Sequence, residues 1–327
     1  MTGQNIMKFI IMLMLGIAVV WGGFTYWMQS LHAKGPLQSE AIVIIEKGEN
    51  TSRIAEKLWY AGVIDGPLKF RLAARLSLAD RIVKAGEYHF EPKISIRGVL
   101  KKITGGDVVQ RKITIPEGLT YLQIRELLLQ EEGLSGPPLE FTEGALLPET
   151  YDYRWNDKRT DLMRRMADAM TETVNTAWQN RKEGVPLNSP TELLTLASIV
   201  EKETNLLEEY PLIAGVFINR LQKNMRLQSD PTVIYGASGY NGDITSAHLR
   251  EDHAYNTYVH KGLPPSPIAS PGKAAILASA QPAETDYLFF SADGNGGHVF
   301  AKTYEEHKIN VAKMLARQKA QKNRSTQ

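Results

Sequence analysis

Residues 189–205 read SPTELLTLASIVEKETN. Ser189 followed by Pro190 marks a helix start, because a serine hydroxyl takes an unpaired N–H of the first turn and proline fits the first helical position. Leu193, Leu196, Ala197 and Val200 then recur at helical spacing, which predicts a helix with one strongly apolar stripe. The run ends in two acids one residue apart, Glu201 and Glu203, around Lys202. At about 100° per residue, Lys202 points away from the stripe into solvent. Glu203 falls on one border of the stripe beside Leu196 and Ile199, and Glu201 on the other beside Leu194 and Ala197. Residues two apart do not face the same way, so the two acids cannot act as a simple pair on one bond. Both are half-buried candidates, and helical geometry does not choose between them.

Glu203 lies nearer the helix C-terminus, where unpaired carbonyls place partial negative charge. That field, an apolar flank and nearby Glu201 all disfavour ionisation. A glutamate that starts near 4.3 could rise to about 6–7, as a general acid at neutral pH needs. An arbitrary Glu-Lys-Glu is ordinarily a solvated helix end, but the loops that follow argue otherwise. RLQSDPTVIYG (226–236) offers Gln228, Ser229 and Asp230 at a tight turn. AYNTYVHKGLPPSPIASPG (254–272) offers Tyr255, Asn256 and Tyr258 beside a stiff Pro-rich wall. Aromatic faces for sugar rings, with amides and hydroxyls for sugar hydroxyls, suit a carbohydrate. A turn or capping role for Asp230 is at least as good as a chemical one, since Asp-Pro starts turns. Tyr235 reads as core.

Outward from this centre, residues 160–182 and 208–223 carry helical periodicity, and AAILASA (274–280) reads as a further helix. DYLFFSA (286–292) reads as a buried strand, DGNGG (293–297) as a turn and HVFAK (298–302) as the partner strand. A last helix from about Thr303 enters a basic tail, expected to fray. His298 and His307 lack a third ligand at a recognisable spacing, so structural hydrogen bonding is expected of them and no metal site. The chain has no cysteine, which removes disulfides, thiol nucleophiles and Cys-ligated zinc. Its net charge of +2 gives no argument for a nucleic-acid partner.

Toward the N-terminus, residues 9–28 read FIIMLMLGIAVVWGGFTYWM, with no charged residue. That length matches the roughly 20 apolar residues needed to span a bilayer, and Trp21, Tyr26 and Trp27 suit its interface. No small-x-small cleavage site follows, so an uncleaved anchor is preferred to a signal peptide. Residues 29–40 read as a polar linker. A repeat then emerges at an offset of 70: Gly48 matches Gly118, Ile54 matches Ile124, Leu58 matches Leu128 and Ile64 matches Leu134. Each copy predicts a short strand, a glycine turn and an amphipathic helix, with Thr51 or Ser52 capping the first helix and Thr120 the second. Residues 85–106 between the copies predict a strand pair and a short helix. These small strand–helix units resemble LysM modules, which bind N-acetylglucosamine-containing glycans.

ASIVEKET (197–204), VFINRL (216–221), RLQSDPTVIYG, YNTY (255–258) and GLPPSPIASPG (262–272), in this order and spacing, closely resemble the endolytic murein transglycosylase, or YceG-like, family. The resemblance runs along nearly the whole chain. It implies cleavage of the bond between N-acetylmuramic acid and N-acetylglucosamine inside peptidoglycan strands, leaving 1,6-anhydro-muramyl ends, with no cofactor. It places the catalytic acid on the second glutamate, Glu203, followed by Thr204 as in the Glu-Ser pair of soluble lytic transglycosylases. Substrate contacts are expected from Gln228, Ser229, Asp230, Tyr255, Asn256 and Tyr258, with Gln228 and Asn256 holding acetamido groups. Ser266, Ser270, Glu149 and the pair His253-Ala254 depart from the family pattern, which puts subsite preference in doubt.

The expected architecture is α+β: a cytoplasmic start (1–8), a single transmembrane helix (9–28), a linker (29–40), a LysM-like α/β region (41–140), a mainly helical α+β catalytic domain (141–314) and a basic tail (315–327). The expected location is the inner membrane, single-pass, with the catalytic domain in the periplasm. The expected partners are glycan strands and, by family association, peptidoglycan synthases. Two other readings stay open: an anchored scaffold that binds peptidoglycan without cutting, and a hydrolytic muramidase with Glu201 or Asp230 opposite Glu203.

Overall fold

The computed structural model describes residues 3–77, 79 and 83–325. It begins with α1 (Gly3–Ser30), whose stretch Met7–Ser30 is long and apolar enough to cross a membrane. Two compact units follow from the chain path. One takes in the chain up to Arg111 and a short return, Asp152–Asn156; the other takes Lys112–Tyr151 and everything from Asp157 on. The second strand–helix copy is thus grouped with the later helices.

In the first unit β1 (Ala41–Ile45) is followed by α2 (Thr51–Tyr60), α3 (Pro67–Leu76), β2 (Gly86–Phe90) and α4 (Ile96–Gly105). β1 and β2 pair antiparallel, with Ala41 opposite Phe90 and Ile45 opposite Gly86. Strand side chains alternate between faces, so Val43, Ile45, Tyr88 and Phe90 all enter the core while Ile42 stays exposed. Around them α2 buries Ile54, Ala55 and Leu58, and α3 buries Phe70, Ala73 and Ala74. Three details differ from the sequence reading. Residues 85–106 supply one strand, whose partner is the distant β1. α3 was not foreseen: Phe70, Ala73 and Ala74 form its buried stripe, but Leu68, Leu72 and Leu76 on the opposite face are exposed, so the helix is apolar on two sides and its period is blurred. The cap of α2 is Asn50, whose side chain accepts from the Arg53 N–H; the helix starts one residue before Thr51 was expected to cap it. Phe90 is fully buried. Phe90→Ala should cost about 3–5 kcal/mol of stability by the cavity it leaves, read as a lowered urea midpoint.

β3 (Gln110–Thr114) runs across the division, and the second unit continues with α5 (Tyr121–Gln130) and β4 (Leu134–Ser135). Thr120 caps α5 as expected, and Gln123 returns the bond to make a capping box. The repeat survives in three dimensions: α2 and α5 are both 10 residues long, and Ile54, Leu58, Ile124 and Leu128 are all buried. After β5 (Thr150–Arg154) and β6 (Asp157–Lys158), the helices α6 (Arg159–Gln179), α7 (Pro190–Glu203), α8 (Tyr210–Gln222), α9 (Asp230–Gly236) and α10 (Lys273–Ala280) form the helical body. α7 is its axis: Leu193, Leu196, Ala197, Ile199 and Val200 are fully buried in one cluster with Ile213, Phe217 and Ile276. Ser189 caps α7 and Pro190 opens it.

A hairpin of β7 (Phe289–Ala292) and β8 (His298–Ala301) follows, with Phe289 opposite Ala301. β7 is half-buried and not the buried strand expected, since its residues line a cleft. Its turn needs glycine: Gly294 and Gly296 sit at φ 82° and 101°, and the Asp293 carboxylate accepts from the N–H groups of Asn295 and Gly297. α11 (Tyr304–Ser325) carries the basic tail as continuous helix where fraying was expected, and residues 326–327 lie outside the described residues.

Candidate active site

Glu203 is the last residue of α7, because Thr204 turns to extended backbone at φ −147°. The buried Thr204 hydroxyl accepts from the Leu206 N–H at 3.1 Å and donates to Glu209 Oε2 at 2.9 Å. Glu209 in turn accepts from the His298 N–H and from His298 Nδ1, each at 2.7 Å. Burial works to raise the Glu209 pKa, but the two His298 bonds and the Thr204 hydroxyl together hold it below the usual value. Thr204 is thus a turn-former that fastens β8 to the end of α7; the hydroxyl that reaches Glu203 comes from elsewhere.

It comes from Ser229, whose Oγ donates to Glu203 Oε1. Ser229 is itself buried and fixed by its N–H on Thr257 Oγ1 at 3.0 Å, while Thr232 bonds both Ser229 O and Thr257 Oγ1. Burial pushes the Glu203 carboxyl up to about 7; the Ser229 hydroxyl opposes this, Asp230 adds to the rise and Arg220 offsets part of it. Glu203 lines a cleft of about 310 Å³ together with Arg220, Gln228, Asp230, Tyr258 and an aromatic set, Phe289, Phe290, His298, Tyr304 and His307.

Glu201 faces elsewhere. It is buried, accepting from Tyr210 Oη at 3.1 Å and from the Gly272 N–H at 2.9 Å. The first bond ties α7 to α8 and the second ties it to the start of α10. Burial raises its pKa too, but it does not line the cleft. Lys202 is exposed, as expected, and its ammonium reaches the Gly118 carbonyl at 3.1 Å.

Four of the other expected residues are brought to Glu203. Ser229 touches it. Gln228 lines the cleft from a strained backbone at φ 49°, held by its N–H on Thr257 O at 3.1 Å. Asp230 accepts from Tyr258 Oη at 2.7 Å. Burial, then the Asp230 carboxylate, holds the Tyr258 phenol proton well above its usual range. Two expectations are corrected. Asn256 is fully buried, its Nδ2 donates to His248 O, Leu249 O and Glu251 O, and its Oδ1 accepts from the Tyr258 N–H. With its donors spent on the backbone and the side chain fully buried, it faces away from the cleft, and its work is to fold the loop that presents Tyr258. Tyr255 lies outside the cleft, its ring 4.8 Å from Tyr235 and its hydroxyl 2.7 Å from Ser266.

The residues missed in sequence are Arg220 and the aromatic wall. Arg220 is buried and donates to Leu227 O and Leu288 O at 2.6 Å each. Its signal was legible, since VFINRL places an arginine on the apolar face three after Phe217 and four after Val216. His298 and His307 behave as side chains of the wall: His298 is tied to Glu209, and His307 stacks on Phe289 at 5.4 Å. Among the described residues no group of three or more His, Cys, Asp or Glu is placed to hold a metal ion.

The family profile of YceG-like proteins matches residues 43–313. A Bacillus subtilis (strain 168) protein called endolytic murein transglycosylase is 31% identical, across 88% of this chain and 89% of its own. A Streptococcus pneumoniae protein of the same name (strain D39) is 29% identical across 94% of this chain, which spans 64% of its length. The crystal structure of a YceG-like protein from Listeria monocytogenes matches 83% of this chain and 98% of its own with a TM-score of 0.53 and 29% identity. A profile that covers most of the sequence, and a relative above 30% identity along most of both chains, place this protein in the YceG-like family.

Proposed function

We propose that this chain is a lytic murein transglycosylase that uses Glu203 as its one acid and base. The observation that carries the reading is a single cleft-edge glutamate lifted to about 7 with a serine hydroxyl on it, while the neighbouring acid is turned into the core. Protonated Glu203 donates to the oxygen bridging N-acetylmuramic acid and N-acetylglucosamine as the C1–O bond breaks. The C6 hydroxyl of the muramic acid closes on C1 and gives its proton to the Glu203 carboxylate, which is ready for the next bond. No water is consumed and no second carboxylate is needed, because a well-oriented internal nucleophile has an effective concentration of up to about 10⁵–10⁸ M. Gln228, Asp230 and Tyr258 offer polar contacts to the sugar and Phe289, Phe290 and Tyr304 aromatic ones, while Ser229 acts on it through Glu203. Purified sacculi digested with the full chain should yield 1,6-anhydro-muramyl ends by mass spectrometry. Unchanged sacculi that retain the protein would favour the binding scaffold. Asp230 in the same cleft gives the hydrolytic reading its one support, and reducing ends would decide for it.

The pH dependence follows from the same carboxyl. The acid must carry its proton, so kcat/KM should fall as pH rises through about 7, close to tenfold per unit beyond it. The Ser229 hydroxyl favours the ionised form, so Ser229→Ala should move that fall to higher pH. Sacculus turnover followed from about pH 6 to 9 tests both, and a flat profile would remove Glu203 from the acid role.

The remaining assignments belong to the same proposal. α1 anchors the chain once in the inner membrane with residues 29 onward in the periplasm. Residues 41–140 act as LysM-like glycan-binding modules, 141–314 as the catalytic domain and 315–327 as a basic extension. Cutting inside nascent strands beside the synthases would end their elongation.

A further inference from the structure

We propose that α3 lies on the surface of the bilayer crossed by α1, with Leu68, Leu72 and Leu76 in the acyl boundary and Arg71 and Arg75 on anionic phospholipid headgroups. The proposal rests on the reading of α1 as a membrane span. Leu68, Leu72 and Leu76 are 75%, 47% and 60% exposed, an unusual fate for three leucines on a ten-residue helix. At about 100° per residue they fall within an arc of about 80°. Arg71 and Arg75, both exposed, flank that arc on one side and Lys69 on the other, paired with Asp65 at 3.6 Å. The opposite face, Phe70, Ala73 and Ala74, is locked in the core of the same unit. From Pro67 to Leu76 there is no acidic residue. An apolar stripe edged by long cationic side chains is the pattern of a helix lying in a membrane interface, where the cations reach up to the headgroups.

The position of the stripe agrees. Beside α3 is an apolar groove of about 590 Å³ walled by Trp27, Met28, Leu76 and Leu100, with Arg97 and Lys101 among its lining residues. Trp27 and Met28 belong to the last turns of the candidate span Met7–Ser30, so the groove sits where the helix leaves the bilayer. The junction is held: Leu31 is buried in the core of the unit, the Arg97 N–H donates to Leu31 O at 3.1 Å, and Arg97 Nη1 meets His32 Nε2 at 3.1 Å. Apolar depth with cations at its edge fits acyl chains below and phosphate above.

The chain has no cysteine, so one engineered cysteine reports one place. Full-length chain carrying Leu72→Cys, labelled with a nitrobenzoxadiazole dye, is reconstituted into phosphatidylcholine vesicles with about a quarter phosphatidylglycerol. A lipid-phase doxyl quencher should lower its emission about twofold, and iodide should quench it less than the same dye on glutathione. Arg71→Glu with Arg75→Glu, or removal of the phosphatidylglycerol, should weaken the doxyl quenching. Val19→Cys, within the span, is the companion probe. Doxyl quenching at Val19 with an iodide-exposed Leu72 probe overturns the proposal and leaves the span standing. No doxyl quenching at either site defeats the span reading, and the proposal with it. A Leu72 probe shielded only as protein density rises, without doxyl quenching, assigns the stripe to a second copy of the chain and overturns the proposal. Doxyl quenching indifferent to the charge reversals and to the lipid overturns the headgroup assignment.

Discussion

Glu203→Gln is expected to slow the release of anhydro-muramyl ends from sacculi by roughly 10²–10⁴-fold, the ordinary loss when a positioned acid/base is removed. The same change should stabilise the fold at alkaline pH. The carboxyl titrates near 7 in the folded chain against an ordinary value of 4.5, so the unfolded chain gives up that proton first. The folded form therefore binds more protons between those two values. Its contribution is full below about 4.5, is lost as pH climbs to about 7, and stays lost above. At about 1.4 kcal/mol per unit, and discounting for the part of the residue that stays solvated, the native carboxylate costs about 1–3 kcal/mol at pH 8. An amide has no charge to bury. Urea midpoints should therefore show the variant more stable than the native chain at about pH 8 and equal to it near pH 4.5. A stability difference that is the same at both values would mean that Glu203 is not held protonated. Unaltered release of anhydro ends would remove it from the mechanism.

Arg220→Leu should cost about 2–6 kcal/mol, because deleting the guanidinium strands the two backbone carbonyls it bonds. Arg220 is 6% exposed and donates to Leu227 O and Leu288 O. Those carbonyls lie at the two edges of the cleft, one leading into Gln228 and Ser229 and the other into β7. Without the guanidinium, each buried carbonyl loses a partner at about 1–3 kcal/mol apiece. The leucine also removes the cation that favours ionised Glu203, so any residual activity should persist to higher pH. Arg220→Lys keeps a charge, but a single ammonium lacks the fork that spans both carbonyls, so its urea midpoint should fall between the other two. A leucine variant as stable as the native chain would show that the two edges are joined by something else.

Much of the architecture could be read locally. Ser189-Pro190 and Thr120 marked helix starts because a cap and its helix are a few residues apart. The offset-70 repeat predicted two equal helices because their buried positions recur at i, i+4. α3 escaped because an exposed leucine face and a core face on the same ten residues together blur the period. Asn256 was misjudged because an amide in a loop looks the same whether it meets ligand or backbone; the three carbonyls that claim it are set by the loop's own closure.

The order of amino acids fixed the apolar N-terminal helix, the repeated strand–helix unit, the buried axis at 190–203 and the pair of acids at its end. It could not rank those acids, since each sits on a border of the same stripe. Tertiary packing ranks them: a serine 26 positions onward meets Glu203, and a backbone N–H 71 positions onward meets Glu201. Which border of a helix meets solvent, hydroxyl or backbone depends on segments that approach only when the core closes, and helical periodicity carries no record of them.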